Sequence, residues 1–245
     1  MATVDDFIAR YLGFVDNGIA MIPYKRASQW KEFFFNPTAT IAKSSDQIGE
    51  RMVDLYVISA IELLLDLVGA VPALLLMLIG GEVLSIALVV GIMVAALIVG
   101  PPLMFLYSLL ELLVAKLVGG VGDMRANFNA SALPGLATFV LFLPIMVAAV
   151  PFDWLQSIPI ISICGSILGI PFSIALLIGG LYSLYLKYLA FKEVHKLSMF
   201  RTLAVVFVPV LAMVALLIAL VILFYAAMMA VLLGGIGAGN LLQPG

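Results

Sequence analysis

The stretch VLSIALVVGIMVAALIVGPPLMFLYSLLELLVAKLV, from Val83 to Val118, decides the fold. It holds two charges, Glu111 and Lys116, both close to its end. As one helix its roughly 36 residues would run ~54 Å, well beyond the ~30 Å of a hydrocarbon core. Only lipid suits so long an apolar run. Gly100, Pro101 and Pro102 interrupt it, so the stretch reads either as one kinked, overlong crossing or as two helices.

Working outward, the rest of the chain has the same character. It is 64% hydrophobic and 11% charged with a mean hydropathy of +1.24, against ~45–50% apolar and ~25% charged for soluble chains. A water-soluble fold is excluded. Further spans are predicted over about Asp54 to Ile79, Leu133 to Val150, Ile160 to Tyr188 and Thr202 to Leu233. The expected fold is all-α, a polytopic transmembrane helical bundle of about five spans. Pro159, Gly165, Gly169 and Pro171 are expected to break the early part of the fourth span.

The twelve Lys and Arg residues fall in three places. Six precede residue 52 (Arg10, Lys25, Arg26, Lys31, Lys43, Arg51), two flank a Gly-rich connection (Lys116, Arg125), and four bracket another (Lys187, Lys192, Lys196, Arg201). Basic connections stay in the cytoplasm. That rule puts the N-terminus and the connections Lys116 to Ser131 and Lys187 to Arg201 inside. The turn at Gly80, the Pro151 to Pro159 connection with Asp153, and the tail from Gly234 are then outside. An odd number of crossings must join Glu82 to Lys116, and one crossing plus a tilted or re-entrant half-helix fits that parity. The expectation is a multi-pass protein of the cytoplasmic (plasma) membrane, N-terminus in and C-terminus out. Asp5 and Asp6 stand where a secretory signal would carry basic residues, which predicts no cleaved signal peptide. Cys164 is the single cysteine and has no disulfide partner.

Residues 1–52 read as a cytoplasmic, interfacial amphipathic segment, 53–233 as the transmembrane domain and 234–245 as a short uncharged tail outside. Thr3 with Asp6 resembles a capping box, and Val4, Phe7, Ile8, Tyr11, Leu12 and Val15 recur on one helical face. Trp30, Phe33, Phe34 and Phe35 beside Lys31 and Glu32 suit the headgroup layer. Asn36 with Pro37 predicts another helical turn, and Ser44 with Gln47 a cap for the first span.

Candidate polar chemistry lies inside the spans. Glu62 and Asp66 are one turn apart on one face, and burying a carboxylate costs ~2.5–3.5 kcal/mol on insertion scales. Lys116 and Lys187 are placed to curl inward to Glu62 or Glu111, while Asp66, nearer mid-membrane, is expected to be protonated or hydrogen-bonded to Ser or Tyr, for example Tyr182 or Tyr185. Glu62, Asp66, Glu111, Lys116 and Lys187 thus form a candidate intramembrane cluster, either functional, for an ion, a proton or a partner's charge, or a set of interhelical ties. Gly165, Gly169 and Ser173, then Ala175, Gly179 and Ser183, recur at intervals of four and predict close helix packing. His195 reads as a solvated loop residue. Gly119, Gly120 and Gly122 before Asp123 and Arg125 read as a flexible turn, since no P-loop Lys-Ser or Lys-Thr follows. No nucleophile elbow, paired-histidine zinc motif or nucleotide fingerprint occurs. Neither an enzyme, a cofactor nor a nucleic-acid partner is expected.

The order of several segments resembles the Yip family, the Ypt-interacting five-span membrane proteins. They are Lys31-Glu32-Phe33-Phe34-Phe35-Asn36-Pro37, Asp54-Leu55-Tyr56 at the start of the first span, Leu112 to Gly122 with Gly119 and Gly120, and a Tyr-rich helix end from Leu181 to Ser198. The eukaryotic pattern continues Asp-Leu-Tyr with Gly-Pro where this chain has Val57 and Ile58, so the prokaryotic-type members are nearer. The resemblance implies a helical membrane scaffold or accessory subunit that binds lipid and other membrane proteins or a larger complex, with a possible homo-oligomer. The alternative is a small ion- or proton-coupled transporter using Glu62, Asp66 and Glu111.

Overall fold

The computed structural model describes residues 9–13, 15–16, 26–44, 46–158 and 162–240. Among them there is no strand. Two short helices, α1 (Ala27–Phe35) and α2 (Pro37–Lys43), precede α3 (Ile48–Ile79), α4 (Val83–Leu117), α5 (Met124–Ser157), α6 (Ser162–His195) and α7 (Met199–Asn240). Among the described residues, five helices are long and apolar enough to cross a membrane: α3 to α6, and α7 over Met199–Ala226. The chain is a multi-pass helical membrane protein.

The Val83 stretch is one unbroken helix, so the re-entrant half-helix does not form. Pro101 and Pro102 lie inside it and cannot donate to the carbonyls one turn back. For Pro102 that carbonyl belongs to Ile98, and the Tyr56 hydroxyl donates to it at 3.4 Å. A neighbouring helix thus satisfies what proline leaves open, as is usual in membranes. The expected break in the fourth span is absent as well. α6 runs without interruption through Gly165, Gly169 and Pro171, while Pro159 and Ile160 lie outside the described residues.

Two helices extend beyond the spans that hydropathy predicts. α5 begins at Met124 rather than Leu133, with the Asp123 carboxylate accepting from the Ala126 N–H at 2.7 Å. Its first turns carry Asn127, Asn129 and Ser131, all buried. Hydropathy counts such residues as loop, whereas here they face other helices. At the far end α7 continues through Asn240, into the stretch read as a tail; residues 241–245 are outside the described set.

The N-terminal aromatics also differ from expectation. Trp30 and Phe33 are fully buried in the protein rather than set in headgroups. α1 packs on α5 and α2 on α6. Phe34 packs on Tyr182 with ring centroids 4.7 Å apart and the rings tilted by 42°, and of the four only Phe35 is exposed. Upstream, Val15 is buried and the Tyr11 hydroxyl donates to the Leu141 carbonyl at 2.6 Å. Burial raises the Tyr11 hydroxyl above its ordinary pKa. Thr3, Val4, Asp6, Phe7 and Ile8 lie outside the described residues. Pro37 opens α2 at its first position, and Gln47 caps α3, its N–H donating to the Glu50 carboxylate at 2.8 Å.

Burial is uneven along the bundle. The buried side chains gather at the end where α3 starts, around Ile58, Ala115, Phe128, Leu133, Leu186, Phe191 and Val205. The opposite reaches of α4 and α7 present Leu, Ile and Val outward on every side, which is what a lipid solvent permits. α5 is the central helix: α3 and α6 each pack along it and barely touch one another.

Candidate functional site

At the tightly packed end, ionic groups are arranged across α3, α5 and the segment before them. The Arg51 guanidinium donates to Asp54 at 2.6 Å and to the Asn129 side chain at 2.9 Å, and also pairs with Asp46. Arg26 reaches Asp46 at 2.8 Å and Asp54 at 3.2 Å. Arg125 and Asn129 both donate to the Asp46 carbonyl, at 2.9 and 3.2 Å. Arg51 and Asp54 are sealed from solvent, and a buried pair is tolerated only when further hydrogen bonds satisfy it. Two cations facing two carboxylates and an amide meet that condition. The i,i+3 spacing of Arg51 and Asp54 was visible in the sequence, but Arg26, Asp46 and Asn129 arrive from distant positions that no local spacing marks.

The five candidate residues do not form one cluster. Glu111, fully buried, pairs with Lys187 at 2.5 Å, and the Lys187 ammonium sits 4.7 Å from the Tyr107 ring centroid. Tyr107 and Ser131 are further polar neighbours of the same carboxylate. Lys116 is exposed and takes no part in that pair. Glu62 instead lines a cavity of about 240 Å³ with Ser59, Gly100, Pro101 and Met104. Asp66 belongs to a third place, a cavity of about 450 Å³ that it shares with Asp153, Gln156 and Ser173. The expected partner Tyr182 points elsewhere, its hydroxyl donating to the Phe34 carbonyl at 3.4 Å. Asp153, read from the sequence as part of an outer connection, lies within α5 against Gly69 of α3.

The segments carrying the family resemblance fall at the packed end. Asp54 is in the ionic network, Leu55 packs against the core and Tyr56 supports Ile98. Gly119 has φ +90, a backbone state that glycine adopts freely. Gly120 and Gly122 are pressed onto His195: a Cβ at either would fall within 2.9 Å of its ring. This turn is therefore packed rather than flexible. His195, expected in solvent, is buried, its Nε2 lying 2.9 Å from the Asn127 side-chain oxygen. Asn127 in turn donates to the Ser108 carbonyl at 2.7 Å, so one histidine ties together α4, α5 and α6. Charged neighbours in sequence suggested a loop; the helix in fact extends to His195 itself.

The small residues of α6 face α5. A Cβ on Gly165 would come within 2.7 Å of the Gln156 N–H nitrogen, on Gly169 within 3.0 Å of the Gln156 side chain, and on Gly179 within 2.8 Å of the Phe142 ring. Ser173 donates to the Gly169 carbonyl at 3.2 Å, and Ser183 is half-buried. Among the described residues, no three His, Cys, Asp or Glu side chains gather as a metal site. No protein-family model, no curated protein and no solved structure matches the chain.

Proposed function

We propose that this chain is an integral membrane scaffold or accessory subunit, of the kind the Yip resemblance implies, which binds partner membrane proteins and lipid. Its packed end, where the basic residues lie, faces the cytoplasm. The observation supporting this reading is the use made of polar groups there: Arg26, Asp46, Arg51, Asp54 and Asn129 bond to one another and hold the N-terminal helices on the bundle. Such a network builds a stable platform and leaves none of these groups poised for a reaction. The test is the mass of the particle extracted from its native membrane in mild detergent. A second protein in fixed stoichiometry is expected; a solitary monomer would overturn the reading.

A second reading, a small ion- or proton-coupled permease, is favoured by Asp66 and Asp153 facing one cavity. Glu111 does not contribute to that cavity, being engaged by Lys187. Flux into vesicles that is lost in Asp66→Asn would support this reading, and flux equal to that of empty vesicles would remove it.

A further inference from the structure

The Asp66 cavity is a groove with a helical shape. Its floor is one face of α5, where Met146, Ala149, Asp153 and Gln156 follow at intervals of three and four and cover about 15 Å of helix. One wall is α3 with Asp66 and Gly69; the other is α6 with Gly169, Ser173 and Leu176, again at helical intervals. The walls barely touch each other. A slot between two helices, floored by a third and lined in part by Gly, Ala and Ser, has the form into which another transmembrane helix packs closely.

Charge narrows the occupant. Asp66 lies 12 residues from Asp54 and 13 from Ile79, hence ~18 and ~20 Å along α3 from either end of the span. It is near mid-membrane. Asp153 comes from α5 onto the same groove, four residues before that helix ends at Ser157; both carboxylates are exposed in the groove, and among the described residues no ion pair joins a Lys or Arg to either. Intramembrane carboxylates are costly unless a partner charge is brought to them. A second copy does not bring one. All twelve Lys and Arg of this chain lie in the N-terminal segment or near the ends joined by the two basic connections, so a copy in the same orientation offers no cation at this depth.

We propose that the groove floored by α5 receives a transmembrane helix of a different protein, whose groove-facing Lys or Arg pairs with Asp66 and Asp153. The proposal rests on the scaffold reading and specifies where that scaffold holds its partner. Extended shape, small lining residues and two unmatched carboxylates on one groove all favour a basic helix over a free ion.

The test uses the full chain in lipid vesicles, labelled at Cys164, which is exposed. The probe is a synthetic Leu/Ala transmembrane peptide with one central Lys, compared by energy transfer with the same peptide carrying Leu there. The Lys peptide should associate roughly tenfold more tightly, the size of an interhelical polar tie in lipid. That preference should vanish in the Asp66→Asn/Asp153→Asn double variant. Ala149→Leu, which fills the floor without touching charge, should weaken both peptides. Equal association of the two peptides, or a preference that survives the double variant, overturns the proposal. So does displacement of the Lys peptide by tetramethylammonium at constant ionic strength, which would assign the groove to a small cation. These results are separable from failure of the scaffold reading, which would appear as a chain that leaves its native membrane alone.

Discussion

Arg51 and Asp54, one helical turn apart on α3, form an ion pair at 2.6 Å with 1% and 0% of their side chains exposed. Such a pair adds little over a well-packed apolar replacement, yet removing Arg51 leaves two carboxylates, the buried Asp54 and Asp46, to Arg26 alone. Arg51→Met should therefore cost about 3–5 kcal/mol of stability, whereas Arg51→Met/Asp54→Leu should recover part of it. Thermal unfolding in detergent reads both. Because Arg51 also holds Asp46 and Asn129, the single variant should in addition expose α1 and α2 to protease at Lys31 and Lys43.

Glu111, fully buried, and Lys187, mostly buried, form a second ion pair, between α4 and α6. Lys187→Met should destabilise by about 3–5 kcal/mol, and Glu111→Gln/Lys187→Met by less than Lys187→Met alone. Equal effects would mean that the two side chains are uncoupled, contrary to their contact.

Two adjacent glycines on α6 should respond oppositely. A Cβ on Gly179 meets the Phe142 ring at 2.8 Å, while one on Gly180 has nothing within 4 Å. Gly179→Ala should cost about 1–3 kcal/mol through overpacking. Gly180→Ala should be neutral or stabilise by up to about 1 kcal/mol, since glycine is a poor helix former. The pair of unfolding curves decides.

At the packed turn, a Cβ on Gly122 falls 2.6 Å from Cγ1 of Val194 and 2.8 Å from the His195 ring. Gly122→Ala should destabilise by about 1–3 kcal/mol. Val194→Ala in the same chain should relieve part of that cost. The matching variant Gly120→Ala should show no such relief, because its Cβ also approaches the Ala115 carbonyl, at 2.9 Å.

Hydropathy alone made the spans legible, because runs such as Val83 to Leu117 have no other solvent than lipid. The ends were not legible, since Asn127, Asn129 and Ser131 are polar yet buried, and a helix that satisfies them internally looks like a loop in sequence. Proline left the same ambiguity: Pro101 and Pro102 allowed one long crossing or two helices, and Pro171 suggested a break, but in the bundle both helices continue. Trp30 and Phe33 have the composition of an interfacial belt, and nothing local separates that from packing on α5. At the candidate site, Asp66 stood out by depth, whereas its neighbour Asp153 did not. Their meeting depends on how α3 lies along α5, which no spacing within either segment records.

The most direct test of the central claim, that α3 to α7 cross the bilayer in alternation, is labelling of single cysteines in a Cys164→Ser background with a membrane-impermeant maleimide. Glu82, between α3 and α4, and Val121 and Ser198, in the two basic connections, are exposed positions suited to it. Cysteines at Val121 and Ser198 should label from one face of sealed vesicles and a cysteine at Glu82 from the other alone. Labelling of all three from the same face would contradict the account.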